Sequence, residues 1–240
     1  MPPSQPVDVS TVKLNLDADQ VRQLTAYRDL LASSALKFNL TSLRDPEQIE
    51  RRHIIESIAF GELLNRHDLL DGRPRVIDIG TGAGLPGIPL KIAWPDIELV
   101  LLESVGKKCR FLEEAVRSLG FGGVEVVEGR AEEAGHEPRY RESFDLVIAR
   151  AVAPLPVLLE YSLPLLRVGG HLAATKGSAA ISEIDASEAA LGMLGGRLID
   201  NAPFNPPGGM RQTVVVVEKI APTPDAYPRR SGMPSKRPIQ

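Results

Sequence analysis

Asp78 lies in an apolar run, Val76-Ile77-Asp78-Ile79, and Gly80, Gly82 and Gly84 follow at alternate positions. Glycine is needed where the backbone takes positive φ or passes close to a ligand. The spacing predicts a parallel strand that turns sharply into a helix around a nucleotide-like ligand. Gly82-Ala83-Gly84-Leu85-Pro86-Gly87 also fits the dinucleotide pattern Gly-x-Gly-x-x-Gly. Asp78 argues against a dinucleotide, because a carboxylate there repels a pyrophosphate. S-adenosylmethionine (SAM) carries a sulfonium and an ammonium instead, and both gain from a nearby acid. The expected ligand is therefore SAM, held around Asp78 and the three glycines. A dinucleotide site and a purely structural glycine turn are the competing readings.

Other chemistry-bearing residues sit where further strands should end. Ligands of open parallel sheets bind at the carboxyl ends of the strands, near the point where strand order reverses. Glu103 stands about twenty residues beyond the glycines, where a carboxylate accepts from both ribose hydroxyls. Gly129-Arg130-Ala131-Glu132 follows the third expected strand, where an adenine edge would be read. Glu132 has a second reading as an acid favoured by a helix N-terminus. Arg150 ends the fourth expected strand, beside the reacting methyl group. It would hold a carboxylate, touch substrate phosphate or pair with a structural acid. Lys176 ends the fifth and meets either phosphate or a helix C-terminus. The chain closes on a basic stretch from Tyr227 that includes Arg229, Arg230, Lys236 and Arg237. Lys107, Lys108 and Arg110 read as a solvated helix face.

The elements that must position these groups follow from periodicity. Short apolar runs alternate with helical stretches, which predicts an α/β fold with a mostly parallel central sheet. Strands are expected at Arg75–Ile79, Glu98–Leu102, Val124–Val127, Phe144–Ala149, His171–Thr175 and Thr213–Glu218, with Arg197–Ile199 a weaker candidate. Helices are expected over about 87–93, 106–119, 155–166 and 179–194. Upstream, a helix from Asp17 to Leu36 carries Val21, Leu24, Leu30 and Leu31 on one side. Asp45-Pro46-Glu47-Gln48 has the spacing of a capped second helix, with Ile49, Ile54, Ile58 and Leu63 or Leu64 as its packing face. Pro203–Gly209 reads as a hairpin-like loop into the last strand. The expected organisation is a loose tail over 1–13, a helical cap over 14–70, the SAM-binding core over 71–221 and a basic tail over 222–240.

Composition bounds the alternatives. A chain of 240 residues can bury one sizeable α/β core with additions. Cys109 is the single cysteine, which excludes an internal disulfide and a multi-cysteine metal site. His53, His67, His136 and His171 lack metal-ligand spacing, so no metal is expected. No segment approaches the ~20 apolar residues of a membrane span, and the N-terminus lacks the pattern of a secretory signal. A cytoplasmic protein is expected. The net charge of −3 gives no global attraction to nucleic acid, so RNA contact would need a local basic surface.

Taken together, these motifs resemble those of the bacterial small-subunit ribosomal RNA guanine-N7 methyltransferases, the RsmG (GidB) family. The resemblance rests on Asn39-Leu40-Thr41, His53-Ile54-Ile55-Glu56-Ser57, Asp78 through Pro89 and Gly129 through Glu132. It continues through Phe144-Asp145, Arg150-Ala151-Val152-Ala153, Lys176-Gly177 and Tyr227-Pro228-Arg229-Arg230-Ser231-Gly232-Met233-Pro234. The chain departs from the family pattern at Ser34-Ala35, where an aromatic-Asn pair is usual, and at Glu56, where Asp is common. The resemblance implies a Rossmann-like class I SAM-dependent methyltransferase with an N-terminal helical cap. It places Gly80, Leu85, Ala131, Glu132 and Arg150 in the SAM pocket. It implies a guanine of 16S ribosomal RNA, within the small subunit, as the methyl acceptor. Guanine N7 carries a lone pair and no proton, which agrees with the absence of an obvious acid/base pair. On this reading Asn39 contacts the base, Arg150 positions substrate, and Lys176, Arg229 and Arg230 contact RNA. A monomer is expected. A methyltransferase for a protein or small molecule, and a SAM-binding module without turnover, are the alternatives.

Overall fold

The computed structural model describes residues 5, 7–38, 40–41, 43, 45–207 and 209–240. Asn39 lies outside the described residues. The strands are β1 (Arg75–Ile79), β2 (Glu98–Glu103), β3 (Val124–Glu128), β4 (Phe144–Arg150), β5 (Leu166–Lys176), β6 (Gly196–Phe204) and β7 (Gln212–Lys219). They form one sheet in the order β3-β2-β1-β4-β5-β7-β6. Strands β1 to β5 run parallel, and β7 is antiparallel to both β5 and β6. The cause is connection length. Helical crossovers join the first five strands, whereas the Pro- and Gly-rich turn after Phe204 joins the last two directly. The weakly signalled Arg197–Ile199 thus belongs to a nine-residue strand. Its alternating half-exposed residues at the sheet edge lack the apolar run that marks the inner strands.

Period two divides the sheet into two cores. Val76, Leu99, Leu101, Leu146, Ile148, Val214 and Val216 face one apolar cluster. Ile77, Ile79, Val100, Leu102, Val147, Ala149, Val215 and Val217 face the other. Helices α1 (Ala18–Phe38), α3 (Glu56–Leu64), α4 (Gly87–Ala93) and α5 (Gly106–Ser118) cover the first face. Helices α7 (Leu155–Ser162) and α9 (Glu188–Leu194) cover the second. The N-terminal cap has no core of its own, because Leu24, Tyr27, Leu31, Ile54 and Ile58 share a cluster with β1, β2 and β4.

Asp45 caps α2 (Pro46–Ile49) by accepting from the Gln48 amide at 3.2 Å. Between α2 and α3, residues Glu50–Ile55 wind as a π-helical turn, an irregularity often found at functional sites. The single helix expected over 179–194 is two, α8 (Ala180–Asp185) and α9, broken at the buried Ser187. The short helices α6 (Ala131–Ala134) and α10 (Met233–Lys236) complete the fold.

The C-terminal stretch is docked on the core. Pro228, Pro234 and Ile239 are buried. Arg141 Nη1 donates to the Tyr227 carbonyl and Nη2 to the Thr223 carbonyl. The Gly232 amide donates to Glu132 Oε1 at 2.8 Å.

Candidate active site at the strand ends

Strand order reverses between β1 and β4, so a crevice opens at their carboxyl ends. The glycine loop after β1 forms one wall. Gly80, Gly82 and Gly84 all have positive φ, at 63°, 63° and 92°. A Cβ on Gly80 would stand 3.1 Å from Val152 across the crevice, so the absence of a side chain keeps it open. Gly84 serves packing, since a Cβ there would fall 2.4 Å from Ile88 Cδ1. Leu85 is buried beside it, ahead of the cis Leu85–Pro86 peptide.

Two acids hold this loop. Asp78 is fully buried and accepts from Thr81 Oγ1 at 2.6 Å and the Gly87 amide at 2.9 Å, both on Oδ2. Burial pushes its pKa up to about 7, against the opposing pull of those hydrogen bonds and of Arg150. Asp78 therefore braces the loop from beneath and does not line the crevice. Glu103 accepts from the Gly82 amide on Oε2 and the Val105 amide on Oε1, each at 2.9 Å. Each oxygen keeps a second lone pair for a ligand hydroxyl.

The crevice is a cavity of about 250 Å³ lined by Gly80, Leu102, Ala131, Glu132, Val152 and Tyr161. SAM fits this setting. Carboxylates flank the glycine loop, apolar Leu102 and Val152 border it, and Gly80 supplies a cradle that a Cβ would narrow. Glu132 is only 5% exposed and is already engaged by the Gly232 amide. It ties the docked C-terminus to the cavity wall. Tyr161 does the same through its hydroxyl, 2.8 Å from Ser235 Oγ.

Arg150 stands on the other side of the wall. Its Nη2 lies 3.3 Å from His53 Nδ1, and its Nη1 lies 3.6 Å from Glu56 Oε1. It lines a second cavity of about 540 Å³ and not the first. Adjacent residues divide the two spaces: Ala151 lines the second and Val152 the first. Ala151 has φ 55°, a left-handed conformation costly for a residue with a Cβ. The loop is pinned beyond it. Lys176 Nζ donates to the Ala153 carbonyl at 2.5 Å and pairs with Glu183 Oε2 at 2.6 Å. Glu183 also accepts from the Leu155 amide. His53 is held by Thr41 Oγ1 at 2.8 Å. Burial, with Arg150 beside it, pushes its pKa down to about 4, so the ring is neutral.

A model of the family described as rRNA small subunit methyltransferase G matches residues 20–202. The chain belongs to this family. Relatives bearing that name include one from Acetivibrio thermocellus, 43% identical over 227 residues, covering 94% of this chain and 91% of the relative. Another, from Roseiflexus castenholzii, is 45% identical over 226 residues and covers 94% of each chain. Among solved structures, a SAM-dependent methyltransferase from Aquifex aeolicus superposes with a TM-score of 0.53 at 18% identity. The match covers 79% of this chain and 98% of that one. This likeness shows the fold, a Rossmann-like class I methyltransferase sheet.

Within this family member, the expected RNA contacts separate. Lys176 is 7% exposed, pairs with Glu183 and donates to the Ala153 carbonyl, so its ammonium braces the loop. Arg229 donates through its amide and Nε to Glu160 Oε1, and through Nη2 to Oε2 at 2.6 Å. Glu160 is completely buried, so Arg229 is its neutralising partner and anchors the C-terminus. Arg230 alone of the three is exposed.

Several site residues escaped the sequence reading. Tyr27 is fully buried on α1, and its hydroxyl donates to the Ala83 carbonyl at 2.6 Å, fixing the glycine loop from the cap. Its spacing of three from Leu24 was the available signal. Glu56 and Gln212 lie 156 residues apart in sequence, and no local pattern joins them. Among the described residues, no cluster of three or more His, Cys, Asp or Glu could hold a metal, and no helix is long and apolar enough to cross a membrane.

Proposed function

We propose that this protein transfers a methyl group from SAM to N7 of a guanine in small-subunit ribosomal RNA, binding SAM in the 250 Å³ cavity and the base in its neighbour. The observation that carries this reading is the pair of cavities meeting at Ala151 and Val152, in a chain of this family. Bound SAM supplies an electrophilic methyl carbon; its bond to sulfur breaks as the bond to N7 forms.

No proton leaves N7, so the chain needs no general base. His53 beside Arg150 is a weak base, because burial and the neighbouring guanidinium push its pKa down to about 4. The work of the protein is to hold two reactants in line, an effect worth roughly 7–11 kcal/mol. The pinned 151–155 loop and the glycine loop, held by Asp78, Glu103 and Tyr27, supply rigid walls for that purpose. Positive charge passes to the purine ring, and a carboxylate near the base favours it. Among the expected RNA contacts, Arg230 keeps its place in this reading.

The test is incubation with methyl-labelled SAM and small subunits lacking their modifications, followed by mapping of 7-methylguanosine. Label at one guanine N7 is the expected result. No label, with SAM binding demonstrated, would overturn the reading.

A further inference from the structure

The second cavity, about 540 Å³, is the larger of the two that meet at Ala151 and Val152. Its lining includes Arg52, Glu56, Arg150, Met210, Arg211 and Gln212. Glu56 is 7% exposed. Its Oε1 accepts from Gln212 Nε2 at 3.0 Å and faces Arg150 Nη1 at 3.6 Å. An acid so deeply set is costly unless donors satisfy it, and one amide and one distant guanidinium leave acceptor capacity on the carboxylate. At the rim, Arg52 and Arg211 are exposed, and Met210 is 70% exposed. Cations and an apolar side chain around a buried carboxylate suit a base entering from an anionic strand.

We propose that Glu56 and Arg150 together read the Watson–Crick edge of the target guanine. This rests on the N7 reading above. Guanine presents an acceptor, O6, beside two donors, N1–H and the N2 amino group. The carboxylate of Glu56 matches the two donors, and the guanidinium of Arg150 beside it matches O6. Adenine, with an acceptor at N1, leaves the carboxylate opposed by a lone pair. N7 lies across the ring from N1 and N2, so holding the Watson–Crick edge at Glu56 leaves N7 free to face the other cavity. That edge must be unpaired, so the guanine enters from a loop or flipped out of a stack. Arg52 and Arg211 then meet the flanking phosphates, and Met210 covers the base.

The experiment compares guanosine with inosine, which lacks the N2 amino group, at the methylated position in reconstituted unmodified subunits. N7 methylation is measured for the wild type, Glu56→Ala, Glu56→Gln and Gln212→Ala, with SAM binding as the control for folding. The wild type should prefer guanosine by about tenfold to a hundredfold in kcat/KM, as expected for one hydrogen bond to a charged group. The ratio should fall towards one in Glu56→Ala and drop in Glu56→Gln, whose amide offers only one acceptor. Gln212→Ala removes the amide that orients Glu56 and should lower the preference less than Glu56→Ala does. If Glu56→Ala fails to bind SAM, Glu56→Gln decides. An unchanged ratio in the folded Glu56 variants, or no preference in the wild type, would overturn the proposal while leaving N7 transfer standing. Absence of 7-methylguanosine with the wild type would instead overturn the function on which it rests.

Discussion

Replacing Arg229 with alanine tests whether the C-terminal arginine serves RNA or the fold. Glu160 is fully buried on α7, and Arg229 meets both of its carboxylate oxygens. Removing one partner of a buried ion pair costs about 3–5 kcal/mol, because the remaining charge is left without compensation. Two features lower the figure here. The Arg229 side chain is 29% exposed, so water already screens part of the pair. The C-terminus can also lift away and let water reach Glu160, which caps the loss at the docking energy of that segment. Burial of Ile239 is worth at most about 1.5–3 kcal/mol of this docking. A destabilisation of about 2–3 kcal/mol is expected, a fall in Tm of about 4–12 °C for a chain of this size. Urea and thermal unfolding measure it, and limited trypsin digestion should cut faster at Arg230 and Lys236. The double variant Glu160→Met, Arg229→Met should recover most of the loss, since an apolar pair replaces the buried charges. A Tm within about 1 °C of the wild type, with weakened RNA binding, would refute the anchoring role and return Arg229 to the RNA surface.

Five further variants probe the same geometry. Arg230→Ala should lower the slope of RNA affinity against salt by about one phosphate contact, whereas Lys176→Met should lower Tm and leave that slope unchanged. Asp78 has a folded pKa of about 7 against its ordinary 3.8, so the folded state holds the proton more tightly. Its contribution to stability is full below about pH 4 and is lost as pH rises through 7. The urea midpoint of the SAM-free wild type should therefore fall from pH 5 to pH 8 relative to that of Asp78→Asn; parallel profiles would contradict this. Gly84→Ala, at φ 92° and against Ile88, should cost at least about 1–2 kcal/mol and weaken SAM binding, read by thermal unfolding and calorimetry. Tyr27→Phe removes one buried hydrogen bond to the glycine loop and should cost about 1–2 kcal/mol, with SAM affinity falling in step.

The sequence by itself determined the sheet and the loop that defines the site. Strand β1 and helix α4 fall where periodicity placed them, because alternating burial and helical spacing are written in neighbouring residues. The glycines announced positive φ for the same local reason. The charged residues were a different matter. Lys176 and Arg229 look like free cations along the chain, yet Glu183 and Glu160 neutralise them in the fold. Arg150 ends its strand where the apolar run predicts, but nothing local names His53 and Glu56, which face it in the second cavity. A charge takes its role from whatever packs opposite it, and that partner comes from an element far away in sequence. Tertiary packing alone brought Glu56 to Gln212 and Tyr27 to Ala83, and so decided which groups face ligand and which hold the walls.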